Sequence, residues 1–266
     1  MSTSSKWKNR ILTFFEKDIN PTEPNTLWGN CPLAAIAQDP SIAHVFFDDF
    51  VEAPLDANFN WVEVDDALTG TNALLDSDTL AGGWGNVVTA AADNDYHAIR
   101  SPGQSWVFLS GKKLWFEARF QLTEATTNES AWWFGFTDTL TTGGLQANAA
   151  GPLASYDGAL IWKDEATMAI DFETSNAGTQ ATATAEATFV TATTTRVGFY
   201  FDGTATTSTI TPYYNVAGSN ALTQGTAKNI TLSGLQAMHL VAGVKAGPTA
   251  AAETLSIDYV KVVQLC

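Results

Sequence analysis

The residues point to an all-β protein, a two-sheet antiparallel β-sandwich preceded by an extended N-terminal arm. Three observations carry this reading. The stretch GKKLWFEARFQL (111–122) alternates strictly, with Leu114, Phe116, Ala118, Phe120 and Leu122 on one face and Lys113, Trp115, Glu117, Arg119 and Gln121 on the other. About a dozen further strand-like runs follow at close spacing, separated by Gly, Pro, Asn and Asp. No stretch after residue 43 shows a sustained helical period.

The chain has 266 residues, 45% apolar and only 15% charged, enough for one large β domain with a sizeable core. Thr, Ala, Gly and aromatic residues favour strands and turns. Residues 6–17 have Trp7, Ile11, Phe14 and Phe15 at helical spacing, with Lys6, Lys8, Arg10 and Lys17 around them. They predict a short amphipathic helix, too short to be stable without a surface to pack on. Residues 18–43 contain four prolines and read as an extended, irregular segment. The arm is therefore residues 1–43, and the sandwich residues 44–266. No fixed-period repeat suggests a propeller or solenoid.

The strands of the body are read in order. HVFFDDF (44–50) opens it, and NWVEVDD (60–66) alternates. GNVVTAAA (85–92) and DYHAIR (95–100) flank a turn at Asp93-Asn94. SWVFL (105–109) leads into the long alternating strand, and AWWFGFTD (131–138) follows. A Gly/Asn/Ala/Pro loop runs to about residue 157. GALIWKD (158–164), TMAIDFE (167–173), ATATAEATFV (181–190) and TRVGFYFDG (195–203) come next. TITPYYN (209–215), NITLS (229–233), MHLVAGVKA (238–246) and ETLSIDYVKVVQL (253–265) complete the set.

The net charge is −15. Residues 1–43 hold four bases and four acids, so the whole excess lies in the body, and the arm has a basic tip. An acidic body disfavours nucleic acid and anionic lipid as partners. No apolar run is long enough for a membrane span, and the N-terminus does not read as a secretory signal. Cys31 and Cys266 are too few for a disulfide framework. His44, His97 and His239 are isolated, so neither a zinc site nor a Cys–His dyad is expected. No metal or other cofactor is expected. DNDY (93–96) offers ligand types for calcium but no full loop of oxygens.

FFDDF at the start, GKKLWFEARFQL followed by AWWFGFTD, and AETLSIDYVKVVQ at the end resemble the concanavalin A-like lectin/glucanase jelly roll over residues 44–265. Domains of this type with a short DDF opening also occur in structural proteins of tailed bacteriophages. The resemblance implies a jelly-roll sandwich and raises the question of sugar cleavage. Glucanases of the superfamily carry a Glu-x-Asp-x-x-Glu strand, and retaining chemistry needs its two outer carboxylates about 5 Å apart. Laid on AIDFET, Asp171 takes the middle position, but Ala169 and Thr174 replace the nucleophile and the acid/base. Glu173 shares a face with Asp171 and matches neither outer position. No catalytic residue is assigned, and the protein reads as a non-enzyme.

The reading is a virion component. The jelly roll sits on the outer capsid surface of a phage made in the host cytoplasm. The arm docks on the major capsid protein and on neighbouring copies, a homo-oligomer on the lattice. Lys6, Trp7, Lys8, Arg10, Ile11, Phe14, Phe15 and Trp28 are its anchors. The alternative is a carbohydrate-binding adhesion or receptor-binding module, with Trp115, Arg119, Trp133, Asp171 and Glu173 as the glycan-facing residues.

Overall fold

A computed structural model describes residues 26–50, 61–66, 73–76, 80, 83–126, 128–140, 144–147, 149–204, 206–215, 221–249 and 251–266. Two antiparallel sheets account for nearly all of its regular structure. The strands are β1 (Ala43–Asp48), β2 (Val62–Asp65), β3 (Ala73–Asp76), β4 (Gly85–Val88), β5 (Tyr96–Arg100), β6 (Leu114–Thr123), β7 (Ser130–Thr137) and β8 (Gly158–Lys163). They continue as β9 (Ala169–Asn176), β10 (Thr179–Thr188), β11 (Thr195–Phe201), β12 (Thr207–Asn215), β13 (Leu222–Gln224), β14 (Lys228–Thr231), β15 (His239–Ala246) and β16 (Thr254–Leu265).

The nine-stranded sheet runs β13-β12-β11-β6-β16-β4-β3, with β1 also on β16 and β14 on β12. The seven-stranded sheet runs β10-β9-β8-β7-β15-β5-β2. The first and last strands of the body are partners, Ala43 opposite Leu265 and Asp48 opposite Val260. The alternation of β6 is realised as read: Leu114, Phe116, Ala118, Phe120 and Leu122 all point into the space between the sheets. There they meet Trp132, Phe134 and Phe136 of β7, Ile161 of β8, and Ile170 and Phe172 of β9. Phe136 lies within ring contact of Trp106, Phe108, Phe116 and Phe199, at centroid distances of 5.6–6.0 Å. Residues 105–109, expected as a strand, form only isolated bridges, Trp106 with Met238 and Leu109 with Lys112. Trp106 still fills the core.

The segment before β1 departs from the expectation of an extended arm over its described part. Leu33–Gln38 form a short helix, α1, and Pro40–Ile42 a 3-10 turn whose cap is the Asp39 side chain accepting from the Ser41 N–H. Leu27, Trp28, Ile36 and Ala43 pack on the outer face of the nine-stranded sheet, against Trp115, Tyr213 and Val263. The backbone N–H of Cys266 donates to the Ile42 carbonyl, tying the end of β16 to this segment. Apolar residues among the prolines explain the difference: at four positions they cover apolar sheet that would otherwise meet water. The predicted helix over residues 6–17 lies outside the described residues. Cys31 and Cys266 are free thiols. Burial pushes the Cys31 thiol up to about 12, with Lys261 opposing. Among the described residues no helix is long and apolar enough to cross a membrane.

Candidate functional site

Period-two alternation sends every second side chain of a strand to the outside of the sandwich, and each sheet has its own outside. Trp115, Glu117 and Arg119 of β6 face out from the nine-stranded sheet. Trp133 of β7, and Asp171 and Glu173 of β9, face out from the seven-stranded one. The five residues expected to face a glycan thus lie on opposite sides of the molecule and form no common site.

On the nine-stranded side, Trp115 is fully buried. Its ring lies 5.4 Å from that of Tyr200, and the 27–43 segment packs over it. Arg119 pairs with Asp258 and stands over the Trp84 ring. Between them sits Glu117, whose side chain has no exposure. Its Oε1 accepts from Arg196 Nε at 3.0 Å and Nη2 at 2.7 Å, and from the Tyr259 hydroxyl at 2.5 Å. Its Oε2 accepts from the Trp28 indole at 2.5 Å and faces Lys261 Nζ at 3.2 Å. Lys261 also sits 4.6 Å from the centre of the Trp28 ring. Burial alone would raise the Glu117 carboxyl, but Lys261, Arg196 and the hydroxyl and indole donors hold it down at about 2. Trp28, expected to anchor a partner, is therefore spent inside the protein, 3% exposed. Of the other expected anchors, Lys6, Trp7, Lys8, Arg10, Ile11, Phe14 and Phe15 lie outside the described residues.

On the seven-stranded side the outer face is filled from within. Leu145 and Tyr156, from the connection between β7 and β8, pack on Trp133, Leu160, Trp162 and Val241. Trp133 is fully buried. It lies so close over Gly243 of β15 that a Cβ there would fall 2.1 Å from its ring. Replacing Gly243 with alanine is expected to destabilise the fold by about 1–3 kcal/mol through overpacking. A lowered urea midpoint with an unchanged m-value would register it. The indole nitrogens of Trp115, Trp133 and Trp162 are buried without an acceptor, as packed rings rather than ligand-reading ones.

The two carboxylates that the sequence placed on this face are there and are engaged. Glu173 Oε1 accepts from the Tyr156 hydroxyl at 3.1 Å and Gln180 Nε2 at 2.8 Å, and its Oε2 accepts from Thr182 Oγ1 at 2.6 Å. Asp171 Oδ1 accepts from the Ala185 N–H at 2.6 Å, where β10 carries an irregularity opposite β9. Both are raised by burial, against these hydrogen bonds. Thr174, in the acid/base position, donates its hydroxyl to the Asn229 carbonyl at 2.9 Å. Ala169 offers no nucleophile.

Sequence reasoning missed a cleft at the β2–β5–β15 end of the same sheet, largely apolar in its wall with a few polar groups. It has a volume of about 470 Å³ and is lined by Asp66, Asn94, Tyr96, Gln146, Leu153 and Lys245. Lys245 is nearly buried, and its Nζ donates to the carbonyls of Leu145 and Gln146 at 2.7 and 3.0 Å. Behind the cleft, Asp95 is buried and accepts the Ala90 N–H at 2.6 Å. Burial raises its carboxyl to about 6, opposed by the Ala90 bond and reinforced by Asp66 and Asp65. A group raised in the folded state holds its contribution at low pH and loses it as pH rises through the folded value. Asp95→Asn, which keeps the acceptor for Ala90, is expected to match wild type below about pH 4. It should melt higher than wild type above about pH 6, in thermal scans across pH. The DNDY run contributes to this cleft, and among the described residues no three His, Cys, Asp or Glu side chains are grouped to hold a metal.

No protein-family model matches the sequence, and no curated protein matches it. Solved structures do match. A protein of unknown function from Shewanella oneidensis MR-1 aligns with 100% of this chain and 95% of its own, at 15% identity and a TM-score of 0.55. Basic winged bean lectin with Tn-antigen aligns with 84% of this chain and 99% of its own, at 14% identity and a TM-score of 0.54. An endo-1,3-β-glucanase from Streptomyces sioyaensis aligns with 85% of this chain and 98% of its own, at 13% identity and a TM-score of 0.53. The chain has the concanavalin A-like lectin/glucanase jelly-roll fold. Both sugar-binding and sugar-cleaving proteins share that architecture, so the fold by itself leaves activity open.

Proposed function

We propose that this protein is a non-catalytic structural component of a bacteriophage virion, set on the outer capsid surface and attached there by its N-terminal residues. The observation that carries the non-catalytic part is the state of the β9 face. Two of the three positions that sugar cleavage needs hold Ala169 and Thr174, and the carboxylates present, Asp171 and Glu173, are occupied by hydrogen bonds, Glu173 with Tyr156 of the β7–β8 connection among its donors. The attachment part draws on the charge split between a neutral N-terminal segment with a basic tip and a body that carries the whole −15. It also draws on the fixed position of residues 27–43, which gives the residues before Thr26 a defined point of departure on the surface. Contacts to the major capsid protein and to neighbouring copies would then be made by residues 6–17, many weak contacts summing on a lattice.

The test is sedimentation with undecorated capsids, full-length chain against one lacking residues 1–25. The deletion must stop there, because removing 26–43 would strip Trp28 and Ile36 from the folded body and uncover Trp115. Pelleting of the full-length chain alone, at fixed stoichiometry, is the expected outcome. Failure of the full-length chain to pellet would overturn the proposal.

A second reading is favoured by the cleft of Asp66, Asn94, Tyr96 and Gln146, whose largely apolar wall with a few hydrogen-bonding groups suits a sugar. In that reading the body is a carbohydrate-binding module, and its site is this cleft rather than Trp115 or Trp133. Glycan-array binding lost in Asn94→Ala and Gln146→Ala, with the melting temperature unchanged, would establish it.

A further inference from the structure

Lys163 ends β8 with its side chain turned into the sandwich, beside Trp132 on the neighbouring strand. Neither it nor Glu124 has any exposed side-chain surface. Lys163 Nζ lies 2.8 Å from Glu124 Oε1, 2.6 Å from the Ser130 carbonyl and 3.2 Å from the Asp164 carbonyl, with the Phe189 ring 5.9 Å away. Glu124 Oε1 also accepts the Ser130 hydroxyl at 2.8 Å. A second acid is at hand. Glu253, 1% exposed, accepts with its Oε2 the N–H of Ala125, the residue next to Glu124, at 3.1 Å.

Lys163 and Glu124 thus meet out of contact with water, beside Trp132 and Phe189, with Glu253 bonded to the backbone next to Glu124. Holding a carboxylate and an ammonium there carries a large desolvation penalty. The electrostatics follow. Burial pushes the Lys163 ammonium down, against Glu124, Asp164 and Glu253. Burial pushes the Glu253 carboxyl up to about 7, against its bond from Ala125, with Glu124 adding to the rise. The Lys163 shift favours the neutral amine, the form that attacks a carboxyl carbon.

We infer that Lys163 and Glu124 condense within the folded chain into an isopeptide bond, with Glu253 carrying the proton between them. Across their 2.8 Å contact the Lys163 ammonium passes its proton to Glu124, leaving a neutral Nζ beside a carboxylic acid; Nζ attacks the Glu124 Cδ and a C–N bond forms. Glu253, as the carboxylate, takes the proton released from nitrogen and delivers it to the departing hydroxyl. The C–O bond breaks and one water leaves. Nothing is oxidised or reduced, and no co-reactant is required. The product fits the hydrogen bonds already in place: the new amide N–H keeps the Ser130 carbonyl as acceptor, and the new carbonyl keeps the Ser130 hydroxyl as donor. Glu124 directly follows β6 of the nine-stranded sheet, and Lys163 closes β8 of the seven-stranded one. The bond would bolt the two layers of the sandwich together.

The intact mass of the purified full-length chain, measured after denaturation, decides this. The expected result is a deficit of one water, absent from Lys163→Met. Proteolysis should give a single branched peptide containing both residues. Glu253→Gln, which keeps both reacting groups, should leave most of the chain at full mass. A wild-type chain at its full sequence mass, with Lys163 and Glu124 recovered in separate peptides, would make the pair a plain buried ion pair and overturn the inference. So would a deficit that persists in Lys163→Met.

Discussion

Glu117→Ala is expected to lower the stability of the fold by about 3–5 kcal/mol, the range for breaking a buried charge network from one side. The substitution removes the acceptor for Arg196, Tyr259 and the Trp28 indole together, and with it the buried carboxylate that faces both Lys261 and Arg196. Chemical unfolding at pH 7 measures it. The acid limb gives a second, independent readout. Glu117 sits at about 2 in the folded protein against an ordinary value of 4.5. A group lowered in this way contributes fully above its unfolded value and loses that contribution as pH falls through the folded one. Of the loss caused by Glu117→Ala, about 3 kcal/mol should therefore fade between roughly pH 4.5 and pH 2. A gap between variant and wild type that stays constant through that window would show that the charge of Glu117 contributes little.

Trp28→Ala is the second large effect, about 3–5 kcal/mol for truncating a buried tryptophan. The ring stands on Lys261 and packs with Leu27, Ile36 and Val263 over Trp115. Its loss should loosen residues 26–43 before the sandwich itself unfolds, and Cys31 reports that step. In a Cys266→Ser background, Cys31 is half-buried with its thiol pushed up to about 12, so it should react slowly in the parent chain and faster in the variant. Because Trp28 and Glu117 share a hydrogen bond, their losses should not add. The double variant should fall short of the sum, and strict additivity would mean that the indole–carboxylate contact is energetically idle.

The alternation of β6, the double tryptophan of β7 and the closing strand were legible because a period of two names the residues that share a face. It does not say whether that face is covered. Trp115 looked available because nothing in EARFQL records that Leu27 and Trp28 lie across it, some ninety residues earlier in the chain. Nor does alternation say which sheet a strand joins. Trp115 and Trp133 are close in sequence and both outward, yet they belong to opposite outsides, because β6 and β7 cross from one sheet to the other. The prolines at 21, 24, 32 and 40 weighed toward an extended arm, while Leu33 and Ile36 already had the spacing of a short packed helix. That Ala169 and Thr174 stand at the two outer positions of the Glu-x-Asp-x-x-Glu pattern was legible in the sequence itself. The cleft around Tyr96 was not, because its walls come from segments that only folding brings together. DNDY was the one local hint.

The pairing of β1 with β16 has a mechanical consequence. Ala43 stands opposite Leu265, so both strands leave the sheet at the same end. Tension between the two ends would peel their antiparallel ladder one hydrogen bond at a time, the weak direction for a sheet, rather than shear all its bonds at once. Load arriving from the N-terminal side does not reach that ladder first. It meets the Trp28–Glu117–Lys261 clasp, which seats the chain fifteen residues upstream of β1. A particle that holds this protein by its leading residues would pull on the clasp and leave the zipper unloaded.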